Sequence, residues 1–200
     1  SGILLPTVDL SVWAGEPPEQ AGEYVVTIGG ASWVKGTWET LEMLSGTGIA
    51  LYLIGGCKPR EMGLLRRRAT ELKVELDMQP RLSQEELVAL VKGARAVVSL
   101  AHAEPFGLTP IEAQAAGTPA LMVDEGGFRH TVEDGVSGRL LPRGDWGAWH
   151  EALEQAADLD TRTVWAEAGQ ENIASMGLTP EDQAETLAGI FAGLWSDEEE

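Results

Sequence analysis

The sequence predicts an α/β fold, a Rossmann-like open parallel sheet of about six strands with helices on both faces. Three observations predict it. Short, nearly continuous apolar runs alternate along the chain with amphipathic helical segments, two of the runs end in paired glycines, and 200 residues suffice for one sizeable core. Apolar runs separated by helices are typical of parallel strands that are buried on both faces.

The strand segments are the apolar runs. Residues 24–28 form a β-branched run that ends at Gly29-Gly30, and residues 49–54 form a second run that ends at Gly55-Gly56. Four further runs have the same character. The predicted strands are 24–28, 49–54, 74–78, 94–100, 119–123 and 138–141.

The helical segments place apolar residues three or four positions apart, which puts them on one helix face. Ser83 followed by Glu86 is the pattern of a capping box, and Thr179 before Pro180 is a second start signal. The predicted helices are 37–44, 60–72, 84–92, 110–116, 145–157, 162–175 and 180–195.

The two ends of the chain differ from the middle. Residues 1–22 lack periodicity and contain three prolines, so we predict an extended lead-in. Residues 23–195 form the predicted domain. Residues 196–200 are predicted to be a solvated acidic tail.

Composition excludes several classes of protein. The contents of 44 % hydrophobic and 23 % charged residues are those of a globular chain. A net charge of −18 argues against a nucleic-acid partner, and contact with a membrane surface is left open. The single Cys57 cannot form an internal disulfide, which favours a reducing, cytoplasmic location. One cysteine and three histidines argue against a zinc site, so no metal is expected.

Open α/β sheets bind ligands at the carboxyl ends of their strands, so the site is expected in the loops after residues 28, 54, 78, 100 and 123. The loop after residue 100 carries the most informative segment, EPFGLTPIEA at 104–113. Gly107 permits a tight turn there, and Pro110 favours a helix start. The free amides of residues 107–109 would then face a phosphate.

Four side chains near these loops have a chemical and a structural interpretation. Glu112, one turn into the helix, could accept hydrogen bonds from two ribose hydroxyls, or it could form a capping box with Thr109. Glu104 could contact a ligand or be a solvated loop acid. Lys35 precedes a helix start, where it could bridge to an anion or be an exposed lysine. His102 could be a base or an ordinary loop histidine.

The segment EPFGLTPIEA resembles the E-x7-E signature of the family 4 glycosyltransferases, retaining enzymes with the GT-B fold. AAGTP at 115–119 is similar to the family's A-x-G-x-P segment, and Gly126-Gly127 is similar to its following loop. Residues 29–36 resemble its first phosphate-facing loop, and residues 79–82 lie where it contacts the nucleobase. LPTVD at 5–9 resembles the crossover between its two domains.

The resemblance implies that this chain is the donor-binding half of such an enzyme. Glu104 and Lys35 would then be the catalytic residues, with Glu104 at the transferred sugar and Lys35 at the diphosphate. The acceptor would be held by an N-terminal domain, so this chain alone is expected to be inactive. No cofactor is implied beyond the nucleotide-sugar substrate. The donor-binding residues it implies are Gly29, Gly30, Lys35, Gln79, Arg81, Glu104, Phe106, Gly107, Leu108, Thr109 and Glu112.

Three positions depart from the family pattern. Gly30 stands where an arginine usually accompanies the lysine, Ala101 replaces a serine, and His130 replaces a glutamate. The missing arginine favours an alternative, a non-catalytic module that binds a nucleotide sugar or serves assembly. Arg81 could supply a second cation or lie at the surface. A dinucleotide-dependent oxidoreductase is disfavoured because no G-x-G-x-x-G follows the first strand.

Overall fold

The protein contains a six-stranded, all-parallel sheet with helices on both sides, as the sequence predicts. A computed structural model describes residues 5–13 and 20–196. The strand order is β3-β2-β1-β4-β5-β6. The strands are β1 Tyr24–Ile28, β2 Ala50–Ile54, β3 Leu76–Gln79, β4 Ala96–Ser99, β5 Ala120–Val123 and β6 Gly138–Leu141.

The helices form two layers. In one layer α1 packs against α2 and α6, and in the other α4 packs against α7 and against a 3-10 helix that also contacts α3. The helices are α1 Thr37–Leu44, α2 Pro59–Leu72, α3 Gln84–Gly93, α4 Leu108–Ala115, α5 Phe128–Thr131, α6 Trp146–Gln155, α7 Leu159–Ser175, α8 Pro180–Ser196 and the 3-10 helix Leu10–Trp13.

The core lies between the sheet and the helix layers. Every residue of β4 and β5 is buried, which explains why their sequences are apolar without alternation. Leu41 of α1, Trp149 of α6 and Ile111 of α4 are fully buried. The sheet therefore provides a rigid base for the loops at its carboxyl edge.

Strand ends differ from the predictions by up to two residues, for a local reason. Helix α2 ends at Lys73 in the left-handed conformation, and the Val74 N–H donates to Ala69 O, so the chain becomes extended only at Leu76. Ala94 similarly caps α3, which delays the start of β4. Such ends depend on how each helix terminates.

Two predicted helix starts are confirmed. Ser83 accepts a hydrogen bond from the Glu86 N–H and returns one to the Glu86 carboxylate, completing the capping box of α3. The Thr179 hydroxyl accepts from the Asp182 N–H at the start of α8. Helix α7 begins three residues before its predicted start, because the Asp158 carboxylate caps it by accepting from the Thr161 N–H.

The predicted extended lead-in is wrong over Leu10–Trp13, which form the 3-10 helix, and the short α5 had no predicted counterpart. Trp13 is buried, and this burial holds the lead-in against the domain. The Val8 N–H also donates to Leu178 O, 3.0 Å away. Residues 1–4 and 14–19 of the lead-in and 197–200 of the predicted tail lie outside the described residues.

Candidate functional site

The strand order reverses direction between β1 and β4, which pair in parallel through Val25 and Ala96. Loops that leave neighbouring strands in opposite directions open a crevice at this point, where α/β proteins bind their ligands. The loop after β1 carries Lys35, and the loop after β4 carries Glu104. The fold therefore brings the two predicted catalytic residues to one crevice.

Lys35 and Glu104 form an ion pair in this crevice. Lys35 Nζ lies 3.0 Å from Glu104 Oε2, and their side chains are 39 % and 19 % exposed. Gly29, at φ 131°, lies under the stem of Lys35: a Cβ there would sit 3.2 Å from the lysine Cδ. The lysine side chain thus lies over a glycine that leaves it room.

Gly30 explains the absence of the family's arginine. Its φ is 76°, and a Cβ built on it would lie 2.5 Å from Gly56 O in the loop after β2. The N–H groups of Gly29 and Gly30 both donate to Ile54 O, at 2.9 and 3.2 Å, so the two loops are held together. No side chain fits at position 30 unless the loop after β2 moves.

Helix α4 begins two residues before its predicted start. Gly107, at φ 92°, is its N-cap, so Pro110 is the third helical residue and only removes an N–H that would have no helical partner. Within the described part of the chain, the N–H groups of Gly107, Leu108 and Thr109 donate to no acceptor. Amides free at a helix N-terminus are suited to bind a phosphate.

The capping-box interpretation of Glu112 is wrong. Thr109 is the second residue of α4 rather than its N-cap, and no side chain caps this helix. The Glu112 carboxylate has no hydrogen-bond partner among the described residues, and burial raises its pKa from 4.5 to about 7. A half-buried carboxylate without donors is costly, and it is ready to accept hydrogen bonds from a ligand.

Glu112 lines a cavity of about 380 Å³ between α4, α3 and the 3-10 helix. Leu108 and Leu87 contribute apolar walls, and Trp13 and Val12 close the side formed by the lead-in. The cavity therefore pairs one unpartnered carboxylate with an apolar surface, a combination suited to a ligand with hydroxyl groups and a flat, partly apolar face.

The paired glycines after β5 hold the Glu104 loop. The Gly127 N–H donates to Glu104 O at 2.7 Å, and a Cβ on Gly127 would lie 2.5 Å from the Cα of Phe106. A Cβ on Gly126 would lie 2.6 Å from Glu104 O. A Cβ on Gly107 would instead meet a side chain, the Phe128 ring, at 2.8 Å. Backbone-to-backbone contact, which only glycine permits, thus fixes the segment from Glu104 to Gly107.

The two residues predicted near the nucleobase lie farther along the sheet. Gln79 ends β3, two strands from β1, and its amide donates to Asp77 Oδ1 at 2.9 Å. Arg81 is exposed in the loop that follows. Neither residue lines the cavity beside Glu112.

One functional candidate has no clear sequence signal. Arg143, in the loop after β6, inserts its guanidinium between that loop, α1 and the end of β4. It contacts His102, whose ring Nε2 lies 3.0 Å from Glu39 Oε2. His102 is therefore part of a charged cluster behind the Glu104 loop rather than an isolated loop histidine.

Neither a membrane span nor a metal-binding cluster is found among the described residues. No helix there is both long and apolar enough to cross a bilayer. Within the same residues, no three histidine, cysteine or acidic side chains come together in a way that could hold a metal ion.

Residues 16–172 match the family model described as Glycosyl transferases group 1. The chain belongs to this family. The D-inositol 3-phosphate glycosyltransferase of Nocardia farcinica is 35 % identical over 127 residues, which make up 60 % of this chain but only 28 % of that relative. The resemblance to glycosyltransferases is thereby confirmed.

Two solved structures share the fold. The Anabaena protein HepE, solved in complex with UDP and glucose, superposes with a TM-score of 0.79 at 17 % identity, over 94 % of this chain and 55 % of HepE. The C-terminal domain of LpcC, a group 1 glycosyl transferase from Francisella tularensis, superposes with a TM-score of 0.70 at 20 % identity, over 84 % of this chain and 97 % of the LpcC domain. This chain thus spans about half of the longer of these two solved chains.

Proposed function

We propose that this chain is the nucleotide-sugar-binding, C-terminal half of a retaining glycosyltransferase with the GT-B fold. The observation that carries the proposal is the Lys35–Glu104 pair at the β1/β4 crevice. The loop of Glu104 leads directly into the unpaired amides of residues 107–109. Two sources of positive charge and one carboxylate are thus gathered where the fold binds ligands.

The roles follow from the charges. The Lys35 ammonium and the α4 amides neutralise the diphosphate, whose negative charge grows as the bond to the sugar breaks. Glu104 is the only one of these groups that can accept hydrogen bonds, so it contacts sugar hydroxyls. Lys35 Nζ and Glu104 Oε2 lie 3.0 Å apart, so the two side chains hold each other in place.

Glu112 contacts the ribose in this proposal. Its carboxylate lies one helical turn beyond the amides and faces the 380 Å³ cavity. Two vicinal hydroxyls would supply the donors that the carboxylate lacks in the described structure. The apolar wall formed by Leu108 and Leu87 then lies beside the nucleoside.

The structure of HepE with UDP makes UDP the first nucleotide to test. Calorimetric titration of this chain with UDP, GDP and ADP, each against its monophosphate, tests the diphosphate site. We expect at least one diphosphate to bind more tightly than its monophosphate. Equal affinities within every pair would contradict the assignment of Lys35 and the α4 amides.

Gly30 favours a second candidate, a module that binds a nucleotide sugar without transferring it. Position 30 cannot carry the second cation of the family, because its Cβ would meet Gly56 O. The full-length protein separates the two candidates when UDP release from UDP-glucose is followed. The name of the Nocardia relative makes D-inositol 3-phosphate the first acceptor to add. Turnover supports the transferase, and tight binding without turnover supports the module.

A further inference from the structure

Arg143 lies behind the crevice and bonds to three separate elements, which are α1, the loop after β5 and the end of β4. Its Nε and Nη2 donate to the two oxygens of Glu125, after β5, each at 2.8 Å. Its Nη1 donates to Glu39 Oε1 of α1 at 2.9 Å. Its side chain is 21 % exposed, so these bonds are partly shielded from bulk water. One guanidinium thus ties α1 to the loops after β5 and β6.

The same guanidinium also holds the end of β4. Nη1 donates to Leu100 O at 2.9 Å, and Nη2 lies 3.3 Å from Ala101 O. Two residues later Ala103 adopts φ 51°, a left-handed conformation that is strained for alanine. Strained backbone persists only where its surroundings hold it, and Glu104 is the next residue. The bonds from Arg143 therefore lie immediately before the segment that aims Glu104.

His102 joins this loop to the one that carries Lys35. Its N–H donates to Val34 O at 2.8 Å, and its ring lies parallel to the Trp33 ring, with centroids 5.8 Å apart. Its Nε2 lies 3.0 Å from Glu39 and 3.2 Å from Arg143 Nη1. A bond pattern centred on Arg143 therefore reaches both of the loops that carry the Lys35–Glu104 pair.

We propose that Arg143 is a positioning residue for the donor site: by bonding the end of β4 to Glu39 and Glu125, it holds Glu104 against Lys35. This inference rests on the proposed function, in which Glu104 contacts the sugar of the donor. Arg143 itself touches neither Lys35 nor Glu104 in any described hydrogen bond or ion pair. Its effect on the donor passes through the loop.

A lysine cannot replace Arg143 in this role. The planar guanidinium presents five N–H donors in a fixed fork, whereas an ammonium is a point charge with three. The Arg143 guanidinium donates to two carboxylates and two carbonyls at once. Arg143→Lys keeps the charge and loses the simultaneous bonds.

The test compares Arg143→Lys with Arg139→Lys in this chain. Arg139 lies on β6 and pairs with Asp134 at 2.9 Å, so its substitution makes the same change in another arginine ion pair, away from the carboxyl edge. The measured quantity is the ratio of the dissociation constants for UDP and UDP-glucose. We expect Arg143→Lys to weaken UDP-glucose about three- to tenfold more than UDP, and Arg139→Lys to leave the ratio unchanged. A melting curve shows that both variants fold.

Glu104→Gln completes a double-mutant cycle. If Arg143 acts by aiming Glu104, Arg143→Lys changes the ratio of the UDP and UDP-glucose dissociation constants in the parent. In the Glu104→Gln background it leaves that ratio unchanged. An equal change in both backgrounds overturns the proposal, because Arg143 would then act on the ligand by another route.

Amide hydrogen exchange gives a measurement that needs no ligand. We expect Arg143→Lys to speed exchange of the His102 amide, which donates to Val34 O, while Arg139→Lys does not. Unchanged exchange at His102 overturns the proposal. If the parent binds none of the nucleotides, the proposed function fails, and the exchange measurement still decides whether Arg143 holds this loop.

Discussion

Lys35 Nζ contacts Glu104 Oε2 at 3.0 Å although the two residues are 69 positions apart in the chain. The contact exists because β1 and β4 are neighbours in the sheet, so the loops that follow them share one crevice. In the proposed function, the donor would replace or extend a contact that is already oriented, which lowers the cost of ordering the two side chains.

Lys35→Met should weaken UDP binding about tenfold, the equivalent of about 1.4 kcal/mol. The reason is the loss of the ammonium that faces the diphosphate in the proposed function, and UMP, with one phosphate, should lose less affinity. Lys73→Met is the matched control, because Lys73 is exposed at the end of α2, away from the carboxyl edge. The measurement is the dissociation constant of each nucleotide by calorimetry. Equal losses of affinity for UDP and UMP would contradict a diphosphate role for Lys35.

Glu112→Gln should lower nucleotide affinity by roughly 10- to 150-fold, since a hydrogen bond to a charged group contributes about 1.5–3 kcal/mol. The folded structure should not be weakened, because the Glu112 carboxylate bonds to no described residue. Dissociation constants and melting temperatures of parent and variant provide the measurement. A variant that binds as tightly as the parent would remove Glu112 from the ribose site.

The raised pKa of Glu112 gives stability a definite pH dependence. Its pKa is about 7 in the folded chain, against 4.5 for a glutamate in water, so the folded state retains this proton longer. The proton that Glu112 retains contributes to the free energy of unfolding. This contribution is fully present below about pH 4.5 and is lost as pH rises through about 7. Urea unfolding at pH 5 and pH 8 should show the parent losing stability relative to Glu112→Gln. A constant difference between the two proteins would contradict the assignment.

Gly30→Ala should destabilise the chain by about 1–3 kcal/mol beyond the cost of its left-handed φ, because the new Cβ meets Gly56 O. Gly46→Ala measures that conformational cost alone. Gly46 has φ 83°, close to the 76° of Gly30, and nothing lies within 4 Å of the point that its Cβ would occupy. Equal free energies of unfolding for the two variants would show that the loop after β2 moves aside easily.

This chain alone should transfer no detectable sugar from a bound nucleotide sugar to an acceptor. The β1/β4 crevice belongs to one α/β domain, and in the proposed function the acceptor is held by a second domain. The measurement is product formation with UDP-glucose and D-inositol 3-phosphate over hours, beside a binding titration. Robust transfer by these 200 residues would contradict the division of roles.

Local patterns in the sequence determined the elements and much of the candidate site. Apolar runs are contiguous and the capping box joins residues three positions apart, so these local patterns predicted all six strands and starts such as that of α3 after Ser83. The grouping of Glu104 with the amides of 107–109 is equally local, because one loop and one helical turn carry it. The resemblance of EPFGLTPIEA then pointed to glycosyltransferases, the family whose model matches residues 16–172.

Tertiary structure decided what depends on neighbours across the sheet. The Thr109–Glu112 spacing fits both a cap and a ligand contact, and only the left-handed Gly107, which starts α4 early, excludes the cap. Arg143 reaches Glu39 across 104 positions, a bond that exists only because the fold brings the loop after β6 to α1 and to the end of β4. No local periodicity encodes such a contact, since its partners are brought together by packing rather than by spacing along the chain.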